Sequence, residues 1–166
     1  LAEAVGSGDP LARAAAALAL GDLLVEELFV SAAVSAFEDR WYAALAAGRE
    51  VNPSTAAVWW ATEQQAAYGG AATVPAYARS GWARLPSLAA QPGHALSYTW
   101  ATVLALAVEA HHGAGAHDAL VQAWSAGGVD ADEFVRILGF RGDEWVVDGL
   151  TALDHELRRL IGILSQ

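Results

Sequence analysis

The sequence predicts an all-α, multi-helix domain. Of its 166 residues 55% are hydrophobic and only 5 are prolines, a composition that favours packed helices over disorder. Apolar residues recur at intervals of three and four along several segments, and no segment shows the alternation of a β-strand. Because this length suits about one domain with a buried core, we expect residues 1–166 to form a single helical domain.

Two helices are predicted in the first half of the chain, each opened by a capping residue that is followed by proline. The first begins at Asp9, has Pro10 as its first helical residue and runs to about residue 47, where Gly48 ends it. The second is opened by Asn52, with Pro53 in the next position, and continues to about residue 68.

Residues 69–93 are expected to be irregular, and a third helix is expected from about residue 95 to 112. That helix is apolar on all sides until Glu109, so we predict that it lies inside the core as the central helix. The uncharged stretch around it is interrupted by Pro86 and Pro92, and its helical half is shorter than the roughly 20 apolar residues that a bilayer requires. A membrane is therefore not an expected partner.

Three further helices complete the predicted domain. Short helices are expected at residues 117–126 and 130–138, where Asp130 and Glu133 have the spacing of a capping box. The last helix is amphipathic, with charged residues opposite a single apolar stripe. The stripe consists of Val146, Leu150, Leu153, Leu157, Leu160 and Leu164.

The composition excludes several classes of function. The chain has no cysteine, so disulfides and thiolate sites are excluded, and the sequence is compatible with the reducing cytoplasm in which we expect it. All 9 positive charges come from arginine, and the net charge of -10 argues against nucleic acid or an anionic membrane as a partner. Methionine is missing even at Leu1, so we expect that Leu1 is not a natural start and that the chain is a fragment of a larger protein.

Three patterns that resemble metal-ligand spacings are interpreted as structural. His155 and Glu156 imitate the start of a zinc helix, but Arg159 stands where the second imidazole is needed. Glu109 and His112 have the spacing of a di-iron bundle, which needs a second copy that the chain lacks. We interpret His111 and His112 as the polar end of the third helix, where an imidazole can meet exposed carbonyls. The third pattern, interpreted as a charged outer face, comprises Asp22, Glu26 and Glu27.

Two short segments carry a family resemblance, residues 73–77 (TVPAY) and 81–86 (GWARLP). With matching residues further along the chain, they make the sequence similar to the C-terminal part of the oligoendopeptidase F family of zinc metallopeptidases, which are thimet oligopeptidase-like. The earlier pair Phe37 and Glu38 resembles the helix that follows the zinc site of this family. The downstream matches are Pro92, Tyr98, Gly127, Gly128, Leu138, Gly139, Trp145 and Gly149.

The resemblance implies a mostly helical peptidase with a single zinc ion. The zinc is held by the two histidines of an H-E-x-x-H motif and by a later glutamate, and the glutamate of the motif acts as general base. This sequence contains no H-E-x-x-H motif. The resemblance therefore implies that zinc belongs to the parent protein, and that this chain alone binds none and is inactive.

The resemblance also implies a loop whose histidine and tyrosines stabilise the oxyanion that forms during peptide hydrolysis. In this chain Ser87 stands at the position of that histidine, and His94 and Leu96 stand at two of the tyrosine positions. Only Tyr98 matches the family. Tyr98 and His94 are thus the candidate catalytic residues, while a core tyrosine at Tyr98 and a helix cap at His94 stay open as alternatives.

We expect this chain to be the C-terminal portion of a zinc metallo-oligopeptidase that hydrolyses short peptides. Its partners would be a short peptide substrate and the missing N-terminal part of the peptidase. The altered loop favours one alternative, a catalytically inactive pseudopeptidase that serves as a helical peptide- or protein-binding module. A plain structural helical domain, similar to the family in composition only, is the third possibility. Because the third helix is apolar on every side and would need neighbours around it, the chain alone is expected to expose apolar surface.

Overall fold

The computed structural model describes residues 6, 8–85 and 87–165, apart from the side chain of Ser87. This part of the chain forms helices and turns without a β-strand, and the helical share is 80%. The all-α prediction is therefore confirmed. Leu1 and Pro86, which entered the sequence-based expectations, lie outside the described residues.

The chain divides into two compact units. One unit is Leu23–Trp100, and the other combines Leu1–Asp22 with Ala101–Gln166. The expectation of one domain over residues 1–166 stays a prediction. None of the described helices is both long enough and apolar enough to cross a membrane.

The described helices follow the chain in an order close to the predicted one. They are α1 (Pro10–Leu24), a π-helical segment (Val25–Val30), α2 (Ser31–Ala46), α3 (Pro53–Tyr68), a 3-10 helix (Ala76–Arg84), α4 (Ser87–Ala90), α5 (His94–His112), a 3-10 turn (Gly113–Gly115), α6 (Ala116–Ser125), α7 (Ala131–Ile137) and α8 (Glu144–Leu164).

The predicted helix over residues 9–47 forms, but a π-helical segment interrupts it. Asp9 caps its start, since a carboxylate oxygen accepts the N–H of Leu11 at 3.0 Å. Between α1 and α2, residues Val25–Val30 are π-helical, and the Ser31 hydroxyl donates to the carbonyl of Glu26, five residues back, at 3.1 Å. The longer spacing of a π-helix was not indicated by the residue pattern.

Two of the predicted capping interactions have the expected geometry. The side-chain oxygen of Asn52 accepts the N–H of Thr55 at 2.9 Å, and that of Asp130 accepts the N–H of Glu133 at 2.8 Å. The capping box at α7 is only half formed, because the Glu133 carboxylate accepts from Arg136 at 2.8 Å instead of reaching back. Capping residues therefore set both helix starts, as the sequence predicted.

An aromatic cluster forms the core of the unit Leu23–Trp100. Phe37 on α2 is fully buried, and its ring meets the ring of Trp60 on α3 edge to face, with centroids 5.5 Å apart. Trp41, one turn after Phe37, lies against Trp82 of the 3-10 helix with centroids 5.6 Å apart. Such aromatic pairs add to the stabilisation from burial, so the cluster joins α2, α3 and the 3-10 helix. It also contains Val34, Ala56 and Ala95, with Val30, Val51, Trp59, Leu85 and Leu88 packed around it.

Residues 69–93 are more regular than predicted, because they contain the 3-10 helix and α4. The indole N–H of Trp60 donates to the carbonyl of Ala78 at 3.0 Å. Gly81 lies against the same ring, so that an added Cβ would sit 3.0 Å from the indole nitrogen. A tryptophan on α3 therefore holds the 3-10 helix in place, and this long-range contact leaves no local pattern in the sequence.

The prediction that α5 is apolar and buried on all sides is wrong. Val103, Ala107 and Val108 are buried, but Trp100 is 51% exposed and Ala105 is also exposed. An apolar helix lies in the interior only if other elements cover every face of it. The hydropathy of its own residues does not show which elements pack against it. Only one side of α5 contributes to a core.

In the second unit, α8 approaches α5 closely at Gly149. A Cβ added to Gly149 would lie 2.3 Å from the carbonyl oxygen of Val103 and 2.7 Å from its Cγ1, which is an overlap of atoms. Glycine therefore sets the distance between the two helices. Buried apolar residues of this unit are Ala16, Ala17, Val103, Ala107, Val108, Ala123, Val135, Leu138, Phe140, Trp145, Leu153 and Leu160.

The apolar stripe predicted for α8 is only partly correct. Leu150 and Leu164 are 49% and 47% exposed, whereas Trp145 and Gly149 are buried. The bulky indole and the glycine contact decide which side of the helix turns inward, and a pattern of leucines does not reveal either. The predicted positions that are buried are Leu153 and Leu160.

Alanine at position 149 tests the close contact between α5 and α8. We expect Gly149→Ala to lower the free energy of unfolding by about 1–3 kcal/mol, because the new methyl group overlaps the Val103 carbonyl. Gly162 on the same helix has open space around it, so Gly162→Ala should leave the stability unchanged or raise it by up to about 1 kcal/mol. Urea denaturation measures both effects, and equal stabilities of the two variants would contradict the contact.

Candidate functional site

The candidate residues lie where the loop that follows the 3-10 helix enters α5. Gly93, the last residue of the loop, has a φ of 78°, a left-handed conformation that suits glycine. The N–H of His94 donates back to the carbonyl of Gln91 at 3.1 Å, and the Ser97 hydroxyl donates to the carbonyl of His94 at 2.6 Å. These hydrogen bonds fix the first turn of α5, which begins at His94.

The buried carboxylate of Glu38 holds this loop onto α2. Glu38 is 2% exposed, and its Oε2 accepts the backbone N–H of Gly93 at 3.1 Å. Its Oε1 has no hydrogen-bond partner among the described residues. A buried oxygen without a hydrogen bond costs free energy, so Glu38 fixes the loop at a cost to the fold.

One turn further along α2, Tyr42 holds an earlier part of the same loop. Its hydroxyl donates to the carbonyl of Leu88 on α4. Burial, and secondly the negative charge of Glu38, raise the pKa of the Tyr42 phenol above its ordinary value. The phenol therefore stays protonated at neutral pH and remains a donor to the loop.

His94 and Tyr98 lie side by side, one turn apart, at the start of α5. Their ring centroids are 5.0 Å apart and their ring planes are at 80°, as the four-residue spacing on a helix allows. Ala95 is buried in the aromatic cluster, while His94 is exposed and Tyr98 is 43% exposed. The alternative of a core tyrosine at Tyr98 is therefore wrong.

This pair presents two hydrogen-bond donors to one exposed surface. A phenol donates one hydrogen bond, and an imidazole donates from a ring nitrogen, more strongly when it is protonated. His94 is the first residue of α5 and Tyr98 follows one turn later, so the pair lies near the end of the helix at which the dipole favours negative charge. The arrangement suits the binding of a carbonyl oxygen on which negative charge develops.

The other two loop positions add no donor that the structure describes. Leu96 is 44% exposed and apolar, at a position where the resemblance implies a tyrosine. Ser87 begins α4, and its side chain lies outside the described residues. Of the four positions that the resemblance assigns to the oxyanion loop, His94 and Tyr98 are thus the two with a side-chain donor that the structure describes.

The described part of the chain does not fit a zinc ion, because no three His, Cys, Asp or Glu side chains come together there. On α8 the carboxylate of Glu156 accepts from Arg159 at 2.8 Å, so the pattern that begins at His155 is an ion-paired helix face. His112 places its Nε2 at 2.8 Å from the carbonyl oxygen of Leu138, at the end of α7. Its imidazole does meet an exposed carbonyl, but one from another helix.

Sequence patterns did not assign a role to the two residues that hold the loop. Glu38 belongs only to a pair that resembles a family segment, and Tyr42 belongs to no motif. Their four-residue spacing places them on one face of α2, which is the single local signal. Their partners Gly93 and Leu88 lie 55 and 46 residues further along the chain, so that the pairing emerges only in the folded unit.

No family model, no curated protein and no solved structure matches the chain. The resemblance to the oligoendopeptidase F family therefore stays a prediction that rests on short motifs, beginning with those at residues 73–77 and 81–86. The geometry of the loop stands independently of that resemblance.

The exchange of the Gly93 amide tests the role of Glu38. We expect Glu38→Ala to speed hydrogen–deuterium exchange at this amide by about fivefold or more, because a hydrogen bond worth about 1 kcal/mol is lost. Glu38→Gln is the matched control, since its amide oxygen can still accept the hydrogen bond and should preserve the slower exchange. Equal exchange in the wild type and in Glu38→Ala would contradict the anchoring role.

The alkaline stability of the chain tests the environment of Tyr42. Because the folded state raises the pKa of this phenol, its contribution to stability is complete below about pH 10 and is lost as the pH rises further. We expect Tyr42→Phe to be less stable than the wild type by about 1 kcal/mol at pH 7, through the lost hydrogen bond to Leu88. The difference should shrink above about pH 10 in urea denaturation, whereas parallel pH profiles would exclude the proposed burial of the phenol.

Proposed function

We propose that this chain is the C-terminal helical portion of a zinc metallo-oligopeptidase that hydrolyses short peptides. It contributes a loop that stabilises the transition state, while the zinc and its ligands belong to the N-terminal part of the parent protein, with which it assembles. A cytoplasmic location is part of the same proposal, because the sequence contains no cysteine.

The pairing of His94 with Tyr98 at the exposed start of α5 is the observation that supports this proposal. In the proposed reaction, the Tyr98 hydroxyl donates to the substrate oxygen on which negative charge develops, and the His94 ring donates to the same oxygen. Glu38 and Tyr42 do not touch the substrate. They hold the loop so that the two donors are positioned before the substrate binds, which is the condition under which such donors accelerate a reaction.

A second candidate is an inactive pseudopeptidase that serves as a helical peptide- or protein-binding module. The observation that favours it is Leu96, which is 44% exposed where the resemblance implies a tyrosine. A leucine offers apolar contact to a bound chain but cannot stabilise an oxyanion. The two candidates differ in whether the bound peptide is cleaved.

Removal of the Tyr98 hydroxyl from the parent protein separates the two candidates. The complete coding sequence of the parent protein is first determined and searched for an H-E-x-x-H motif and a later glutamate. The encoded protein is then assayed with internally quenched short peptides. We expect Tyr98→Phe to lower kcat by about two to three orders of magnitude, the typical loss for one oxyanion donor. Leu96→Tyr, which adds a donor at an exposed position, should raise kcat.

The matched control is Tyr77→Phe, since Tyr77 is 84% exposed on the 3-10 helix and lies outside the loop. Its kcat should equal that of the wild type. Equal rates for Tyr98→Phe and Tyr77→Phe would remove the proposed role of Tyr98. A parent protein that lacks the zinc motif, and that retains short peptides without cleaving them, would favour the pseudopeptidase.

A further inference from the structure

The last helix, α8, has two apolar sides, and only one of them is buried. The buried residues that define its inward side are Trp145, Gly149, Leu153 and Leu160. About 120° around the helix, Val147 and Ile161 are 65% and 64% exposed, and Leu150 and Leu164 are about half exposed. Exposed apolar residues that are scattered singly are ordinary, but these four lie along one side of a single helix.

The exposed side of α8 has the residue spacing of a coiled coil. Steps of three and four residues alternate from Val147 to Leu164, as at the first and fourth positions of successive heptads. The residues of this outer stripe are Val147, Leu150, Asp154, Leu157, Ile161 and Leu164. A stripe of this spacing packs against one partner helix, with the side chains of each helix inserted between those of the other.

The charges at the middle of the outer stripe limit what the partner helix can be. Asp154 is exposed, and a purely apolar partner would bury its carboxylate without a compensating charge. Arg158 follows one turn later, and its Nε donates to the Asp154 carboxylate at 2.8 Å. That hydrogen bond uses one oxygen of the carboxylate and one nitrogen of the guanidinium, which has five N–H donors. Another copy of the same two residues therefore supplies the complementary charges.

The direction of the partner helix follows from the position of Asp154. In a parallel pair, Asp154 of one copy would face Asp154 of the other, and like charges repel. In an antiparallel pair, Arg158 of the second copy lies next to Asp154, so that the four charges alternate in sign. The facing positions are then Val147 with Leu164, Leu150 with Ile161 and Asp154 with Leu157.

We propose that α8 binds a second copy of this chain through its outer stripe, as an antiparallel and two-fold symmetric helix pair. Both copies use the same surface, as a two-fold axis requires. The stripe is about 27 Å long, with apolar residues toward both ends and the charges of Asp154 and Arg158 at its centre. The inference does not rest on the proposed peptidase function, because neither His94 nor Tyr98 belongs to α8.

Sedimentation equilibrium of the full 166-residue chain tests the proposal. We expect a reversible dimer, and Ile161→Asp should weaken it by about 100-fold or more, because a charge without a partner would be buried in the pair. His155→Glu is the matched control, since it adds a negative charge at an exposed position of the same helix outside the stripe. It should leave the dimer unchanged, and circular dichroism shows whether both variants are folded.

An exchange of charges tests the pairing of Asp154 with Arg158. Asp154→Arg and Arg158→Asp each place two like charges at the centre of the stripe, so that each variant alone should dimerise at least about tenfold more weakly than the wild type. A mixture of the two variants brings opposite charges together and should form a mixed dimer. Failure of the mixture to associate more tightly than either variant alone would exclude the charge pairing.

Disulfide cross-linking tests the direction of the pair, because the chain has no cysteine of its own. In the antiparallel pair Leu150 faces Ile161, so a mixture of Leu150→Cys and Ile161→Cys should form a mixed disulfide on oxidation. Each variant alone should stay unlinked, since equal positions are about 16 Å apart along the helix, beyond the reach of a disulfide. Linking of each variant with itself would overturn the antiparallel arrangement.

Two further results would overturn the proposal. A chain that stays monomeric up to millimolar concentration would show that the outer stripe does not bind a second copy. If the thiol of Ile161→Cys were then protected from alkylation in the parent protein, another part of that protein would be the occupant. A dimer that persists unchanged in Ile161→Asp would show that the copies meet through a different surface.

Discussion

The contact between Phe37 on α2 and Trp60 on α3 determines where the elements around the candidate site lie. Because the ring of Phe37 is turned into the aromatic cluster, the next residue, Glu38, is directed about 100° further around the helix, toward the loop before α5. Trp60 uses its ring for this contact and its indole N–H for the carbonyl of Ala78. One pair of aromatic side chains thus connects the loop before α5 with the 3-10 helix.

The candidate site combines two exposed hydrogen-bond donors with residues beneath them that hold the loop. The two groups of residues differ in what they contribute to the stability of the fold. His94 and Tyr98 contribute little to stability, because both are exposed. Glu38 is buried with one oxygen unpaired among the described residues, and such a group is rarely retained for stability alone. Residues that hold a functional group through their own buried hydrogen bonds keep its geometry more precise than a free loop can. Glu38 and Tyr42 have this role toward the first turn of α5.

The all-α class and several helix boundaries could be predicted because local chemistry sets them. Asn52 and Asp130 cap helices through hydrogen bonds to residues three positions ahead, which a sequence displays directly. The exposed side of α5 could not be predicted, because it depends on which elements pack against that helix. The inward side of α8 could not be predicted either, because it depends on the close contact with the Val103 carbonyl that the missing side chain of Gly149 permits. The candidate pair was found through a resemblance. The support of this pair by Glu38 could not be predicted from the sequence, because the hydrogen bond between Gly93 and Glu38 joins residues that are 55 positions apart.

The π-helical segment has a consequence for the tolerance of this helix to changes in length. Leu24, Leu28, Ala33 and Phe37 are buried in turn, so that the step across the end of the segment is five residues where the other steps are four. Loss of one residue of the segment after Leu28 would shorten this step to four, as in an ordinary α-helix, and the same residues would still face inward. Loss of one residue between Ala33 and Phe37 would instead rotate the aromatic cluster away from α3 by about 100°. The segment is therefore the place at which this helix can lose a residue over evolution without dismantling its core.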